Sequence, residues 1–374
     1  MSTVRTRLGR VLAMAIAGTV IGCQSQAPLN IAPPGGTSKV TDQQAFTASR
    51  MARQAEHGGL KSRADRRSGY HTASSSPCTA YVANSGANTV SVVDVPSNTV
   101  IKTIGVGVNP QGVATTPGGD KVYVANRNSN NISVIDTGSN TVIKTIPLPV
   151  NSHPTRLAVT PDDLDLYVTL NGTNRVADID VGTDTVRTAN IVVGSAPFGI
   201  AVTPDNLNVL VVNSGSNSVT DLDRGTNTTV ATILVGHNPL DVAVTPDSQD
   251  AYVSNNADAT VTDINLNNDT VFATISVGHN PEGVAVSPNN FDVYVANRGD
   301  DTVSDIDVAS DTVIQTIGVG HLPTEVAITS DNIDVYVTNH GSNNITDIDY
   351  FSNTVVTNVP VGTAPEGIAI TPCF

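Results

Sequence analysis

Near-identical tetrapeptides recur seven times between residues 81 and 339: YVAN at 81, YVAN at 123, YVTL at 167, LVVN at 210, YVSN at 252, YVAN at 294 and YVTN at 336, at spacings of 42, 44, 43, 42, 42 and 42 residues. A fixed period of this length is the signature of a propeller or solenoid array. It constrains the fold and leaves the function open, because one architecture carries many unrelated activities.

The best preserved copy, residues 281–323, reads PEGVAVSPNNFDVYVANRGDDTVSDIDVASDTVIQTIGVGHLP. Its four short runs rich in Val, Ile, Thr and Tyr are bounded by Gly, Pro, Asn or Asp, which reads as four strands joined by tight turns. We label them A (GVAVS), B (VYVAN), C (TVSDID) and D (TVIQTIGVG). No copy contains an amphipathic helical stretch, so the expected fold is all-β, a seven-bladed propeller of four-stranded blades.

The two ends decide how the ring closes. The first copy begins at Cys78 directly with strand B, and the chain finishes with EGIAITP, residues 366–372, a strand A with no strand B after it. The last strand is therefore expected to complete the first blade. When the copies are aligned, Cys78 falls on Phe291 and Cys373 on Asn289, two positions apart in one A–B turn. This predicts a Cys78–Cys373 disulfide closing the ring; two idle thiols are the alternative.

The N-terminal segment points to export. Arg5, Arg7 and Arg10 precede an apolar run from Val11 to Ile21, too short to span a bilayer but suited to a signal peptide. Its end, Val20-Ile21-Gly22-Cys23, resembles the bacterial lipobox. That resemblance implies a signal peptide over 1–22 and Cys23 as a lipidated first residue; ordinary signal cleavage or a retained anchor is the alternative. Gln24 in place of Asp favours the outer membrane or cell surface of a bacterial envelope. Export also supplies the oxidising compartment a disulfide needs.

Residues 23–77 read as the lipidated Cys and a flexible basic tether. From residue 24 on, it carries seven Lys and Arg against three Asp and Glu. As a flexible coil it would span roughly 40 Å. TDQQ at 41–44 looks like a capping box before a short helix ending near Gly58.

Residues 78–374 hold 9 Lys and Arg against 31 Asp and Glu, a net charge of −22. Such a surface repels phosphate backbones, so no nucleic-acid partner is expected. Aromatic residues are 4% and Trp is absent, which removes the usual stacking platforms for sugars and flat cofactors and excludes the Trp-based propeller families.

The repeated YV[AT]N, with TPD before it and NTVSVID after it, resembles the YVTN family of seven-bladed β-propellers found in surface-layer and exported proteins. The resemblance covers residues 78–374 and all seven copies. It implies a fold and little about activity, since the motif residues of that family are architectural.

In strand B, Tyr and the residue two positions on are expected to share one face, Val to face the neighbouring blade, and Asn to form an Asx turn. Asp94, Asp136, Asp180, Asp223, Asn265, Asp307 and Asp349 end strand C as turn formers, with calcium binding as the alternative. Two residues earlier stand Val92 and Val134, then Asp178, Asp221, Asp263, Asp305 and Asp347. Those acids are expected to face solvent or to bond to Thr and Asn neighbours; acid dyads are the alternative.

Differences between copies carry more functional information than shared residues. Propeller topology puts the D–A and B–C loops on one face, around the channel mouth, and the variation gathers there. The D–A loops carry His237, His279 and His321, with His153 displaced in an expanded loop. After the Pro stand Gln111, Arg156, Phe198, Asp241, Glu282, Glu325 and Glu366. The B–C loops add Arg127, Arg175, Arg298 and His340.

These residues form the expected binding rim for a protein or surface polymer, with no cofactor. His279 and His321 are candidate metal ligands, imidazole being a common transition-metal ligand. No nucleophile elbow, zincin pair, P-loop or dinucleotide fingerprint stands in a confirming context. No catalytic residue is assigned. The leading reading is a noncatalytic, lipid-anchored binding or scaffold module. The alternative is a propeller enzyme, lactonase- or lyase-like or metal-dependent, with His279, Glu282, His321 and Glu325 at the channel mouth.

Overall fold

The computed structural model describes residues 78–373, which form twenty-eight strands from β1 (Thr79–Asn84) to β28 (Pro365–Ile370). The expected signal peptide, the expected lipidation at Cys23, the expected tether and its expected short helix lie outside the described residues. The strands pair antiparallel in seven four-stranded sheets, and the A strands of successive blades lie side by side around a closed ring. β28 pairs with β1 to give the sheet order β28-β1-β2-β3, where β2 is Thr89–Asp94 and β3 is Thr99–Gly105. The C-terminal strand thus completes the first blade, and Cys78 is bonded to Cys373 with their Cα atoms 4.7 Å apart.

Asn is abundant because each blade has corners that need left-handed backbone. Asn88, Asn98 and Asn109 have φ of 56, 52 and 56°, and most copies repeat Asn or Asp at the first two corners. Asn tolerates this region better than other residues with a Cβ because its short amide bonds locally.

Strand B is buried along its length except for a half-buried first residue in three blades, while strand D is largely exposed at the outer edge apart from one buried residue. The sequence reading assigns only Val to a neighbouring blade; in the structure both faces meet one. Tyr81 packs with Val122 and Val124 of the next blade, and Tyr123 and Ala125 pack with Leu166 and Val168 of the blade after. Each buried ring is worth about 1.5–3 kcal/mol in transfer terms.

The Tyr hydroxyls bolt adjacent blades together. Tyr81, Tyr167 and Tyr294 donate to the Oδ1 atoms of Asn140, Asn227 and Asn353, at 2.6, 3.0 and 2.8 Å. Tyr336 closes the circle by donating to Asn98 Oδ1 at 2.8 Å. The acceptors sit in the C–D turn of the following blade.

The same Asn side chains explain the buried acids. The Nδ2 groups of Asn98, Asn227 and Asn353 donate to Asp347, Asp178 and Asp305 at 2.7, 2.9 and 2.6 Å. These acids are at most 5% exposed, so they do not face solvent, and their expected Asn partners come from the next blade. Where the second blade has Val134 instead, Tyr123 donates to Asp184, whose charge is met by Lys121 at 3.1 Å.

Asn at the end of strand B makes no Asx turn. Its Nδ2 reaches across to strand C, as Asn84 does to Ser91 Oγ at 3.0 Å and Asn297 to Ser304 Oγ at 2.9 Å. The acids ending strand C are turn formers: Asp136 Oδ1 accepts from the Ser139 backbone N–H and hydroxyl, and Asp307 Oδ1 does the same with Ser310.

Candidate functional site

Every A strand opens with Pro and then bulges, so that two residues after the Pro face one residue of strand B. In β24 (Pro323–Ile328), Pro323 is opposite Asn339 and Glu325 opposite Thr338. A bulge re-aims side chains. Here Pro+1 residues (Gln111, Phe198, Glu282, Glu366) and Pro+2 residues (Arg156, Asp241, Glu325) alternate from blade to blade around the axis.

Glycine makes that alternation possible. Gly199 and Gly283 hold Pro+2 in the blades that carry Phe198 and Glu282. A Cβ on Gly199 would lie 2.7 Å from Asp241 Cα and 2.8 Å from its Oδ1, and one on Gly283 would lie 2.7 Å from Glu325 Cα and 2.8 Å from its Oε1. Seven A strands therefore crowd the channel with room for three large charged groups at Pro+2.

Those groups converge. Arg156, Asp241 and Glu325 line one cavity of about 150 Å³, together with backbone and apolar atoms of other A strands. Arg156 Nη2 lies 2.8 Å from Glu325 Oε2, and the guanidinium carbon sits 5.3 Å from the centre of the Phe198 ring. Glu282 Oε2 accepts from Arg298 Nη1 at 2.8 Å, and Glu366 Oε1 lies 2.9 Å from His340 Nδ1. Asp241 Oδ2 accepts the Val284 N–H, and Asp241 lines the same cavity as Glu325.

The cluster combines four acids with Arg156, Arg298 and His340, and burial sets its proton chemistry. Burial pushes the Glu325 carboxyl up to about 8, with Arg156 pulling down and Asp241 pushing further up. Burial likewise raises Asp241 against the pull of Arg156, and raises Glu282 against that of Arg298. For Arg156, burial disfavours the charge, but Glu325, Asp241, Glu282 and Glu366 more than restore it. A Glu325 carboxyl raised to about 8, first by burial, holds its proton at neutral pH. Unlike groups with perturbed protonation in one cavity mark a candidate site.

The rim His residues are elsewhere. His237 Nδ1 is 3.0 Å from Asp258, His279 Nδ1 is 2.9 Å from Asp300 and His321 Nδ1 is 2.7 Å from Asp301. The side chains of His279 and His321 are both 78% exposed. Each is held by an acid of a B–C turn, and these pairs hold Asp300 and Asp301 below the usual carboxylate range, through backbone N–H groups first and the imidazoles second. Among the described residues no group of three or more His, Cys, Asp or Glu is arranged to hold a metal ion. Arg127 holds the loops together by its backbone N–H, which donates to Asn109 O. Arg175 is turned to its own blade, donating to Asn190 and to Asn174 O.

The A-strand and B–C members of the expected rim thus come together in part: Arg156, Phe198, Asp241, Glu282, Glu325, Glu366, Arg298 and His340. The bulge was not legible in the sequence, and it is what gathers residues one and two positions after Pro. Regular alternation of charged residue and Gly at Pro+2 was the available signal.

Several solved structures share this architecture. Hydrazine synthase from Kuenenia stuttgartiensis matches with a TM-score of 0.66 at 23% identity, over 75% of this chain and 98% of that one. A functionally unknown protein from Desulfotomaculum acetoxidans matches with a TM-score of 0.71 at 18% identity, over 79% and 99%. A putative 6-phosphogluconolactonase from Bacteroides fragilis matches with 0.67 at 14% identity, over 80% and 99%. What they share with this chain is the seven-bladed propeller fold. No protein-family model and no curated protein matches the chain.

Proposed function

We propose that this is an exported propeller of the YVTN type, anchored to the bacterial cell envelope through a lipid on Cys23, which binds a protein or surface polymer at its channel mouth without catalysing a reaction. The observation that carries this reading is the convergence at one end of the axis of residues in which the blades differ, while the repeated residues are used up in bolts and turns. Recognition needs unlike groups in one place, and the mouth is where this chain has them. The charge of −22 over residues 78–374 keeps nucleic acid away and favours cationic counterpart surfaces.

The test has two arms. Fatty-acid labelling of the full chain in a bacterial host should be lost on Cys23→Ser. Binding of the exported protein to isolated envelopes should be lost in the double variant E282Q/E325Q and kept in D307N, which alters a turn on the opposite face. Equal binding by all three proteins refutes a mouth-centred site.

One observation favours an enzyme at the same mouth: a Glu325 carboxyl raised to about 8 beside Asp241 and Arg156 has the protonation of a general acid near neutral pH. That reading moves the active groups from the His279 and His321 rim to the axis. Turnover of a lactone panel, abolished by E325Q, would establish it.

A further inference from the structure

The mouth cavity has a feature that charge pairing leaves unexplained. Arg156 is 6% exposed, yet Nε and Nη1 have no hydrogen-bond partner, and Nη2 has only its ion-pair contact with Glu325. A buried guanidinium whose donors have no protein partner, on the wall of a polar cavity of about 150 Å³, suits a ligand rich in hydrogen-bond acceptors.

Charge narrows what can fill it. An anion would meet Arg156 but also Asp241 and Glu325 on the cavity wall, with Glu282 and Glu366 acting on the same arginine. A cation would meet the carboxylates but also the positive charge of Arg156 on the same wall. A hydroxyl group suits both walls, because it accepts from the guanidinium and donates to a carboxylate. Neighbouring hydroxyls on one ring can do both at once. At about 150 Å³ the cavity has room for no more than one ring, entering from the mouth.

We propose that this cavity binds one neutral polyhydroxyl ring, the end unit of an uncharged glycan, with Arg156 donating to ring hydroxyls that in turn donate to Asp241 and Glu325. This rests on the reading of the mouth as a recognition site and names its ligand class. Glycan rather than protein is the occupant because the cavity is polar, narrow and demands donors and acceptors together.

Calorimetric titration of the full chain with methyl α-glucopyranoside, methyl α-mannopyranoside and myo-inositol tests this, with glucosamine and glucuronate as the charged counterparts. At least one neutral ring should bind saturably at one per chain, about tenfold more tightly than either charged compound, a difference of roughly 1.4 kcal/mol. Arg156→Lys keeps the charge and loses the guanidinium fork, and should weaken binding about tenfold. If that variant fails to fold, the Nε–H resonance of Arg156 in the unaltered protein supplies a second readout, and it should shift in step with saturation.

Absence of saturable binding by all three neutral rings overturns the proposal. So does preference for a charged compound, or binding that leaves the Arg156 resonance and the Arg156→Lys affinity unmoved. Envelope binding measured on the same preparations separates the two levels: if it survives while the neutral rings fail, the glycan assignment alone falls and a protein occupant takes its place. If both fail, the recognition reading falls with it.

Discussion

Buried carboxylates occur in two regions of this propeller and behave as opposites. In the blade walls Asp178, Asp305 and Asp347 occupy equivalent positions, each held by an Asn amide from the next blade that also accepts from a Tyr hydroxyl. At the mouth, Asp241, Glu282, Glu325 and Glu366 occupy positions that other blades fill with Gln, Thr, Phe or Leu at Pro+1 and with Arg or Gly at Pro+2, and their partners are Arg156, Arg298 and His340. A wall acid repeats because each blade interface poses the same geometric problem. The mouth positions change residue type from blade to blade, and the neighbours of their acids carry charge. Burial alone therefore does not separate architecture from site in a repeat protein; the partner does.

Removing a partner at the mouth should have the largest effect. Arg156→Met leaves the neighbouring carboxyls without their shared cation and should cost about 3–5 kcal/mol at pH 8. The loss should shrink at pH 5, where those carboxyls take up protons, and urea unfolding at both pH values measures it. A cost that is the same at both pH values would mean that the arginine acts by packing on Phe198.

The pH dependence separates the two regions more finely. Glu325 is raised to about 8, and the wall acids Asp347 and Asp334 to about 6 and 7, all first by burial. A carboxyl raised on folding contributes stability that is full below its unfolded pKa and lost as pH rises to its folded one. Stability should thus fall as pH rises from about 4 to 8, each group adding at most about 1.4 kcal/mol per pH unit. E325Q should flatten the slope between pH 7 and 8, whereas Asp347→Asn should flatten it only below about pH 6. A slope above pH 7 that persists in E325Q would erase the distinction.

The smallest effect belongs to the bolts. Tyr294→Phe removes one hydroxyl from Asn353 and should cost about 1 kcal/mol, with little dependence on pH. Leu210 already stands at this position in the fourth blade, so the fold tolerates a missing bolt. A cost several times larger would show that the wall network is coupled as tightly as the mouth.

The fold was legible because a period of 42 to 44 residues leaves few architectures, and because strand A at the C-terminus matched the strand missing at residue 78. The disulfide followed from the same alignment. The wall acids were only half legible: their Asn partners stand 48 or 49 residues away for Asp178 and Asp305, and across the ring closure for Asp347, so pattern within one copy could not find them. At the mouth the residue types were visible as departures from the repeat, but not their convergence, which depends on a bulge that sequence alternation hides. His237, His279 and His321 recur in one loop type, and each lies beside an aspartate of a B–C turn rather than at the axis.

The Cys78–Cys373 bond lies at an A–B turn, on the face away from the mouth, where the chain enters the propeller. A pull on the polypeptide ahead of Cys78 would otherwise be carried by β1 alone, whose hydrogen bonds would open one after another. The covalent link passes the load at once to β28, the inner strand of the same sheet, so two strands must shear together before the ring parts. In mechanical terms the seam, which would be the weakest point of a ring made from an open chain, becomes the one place where tension is borne by a bond that does not yield.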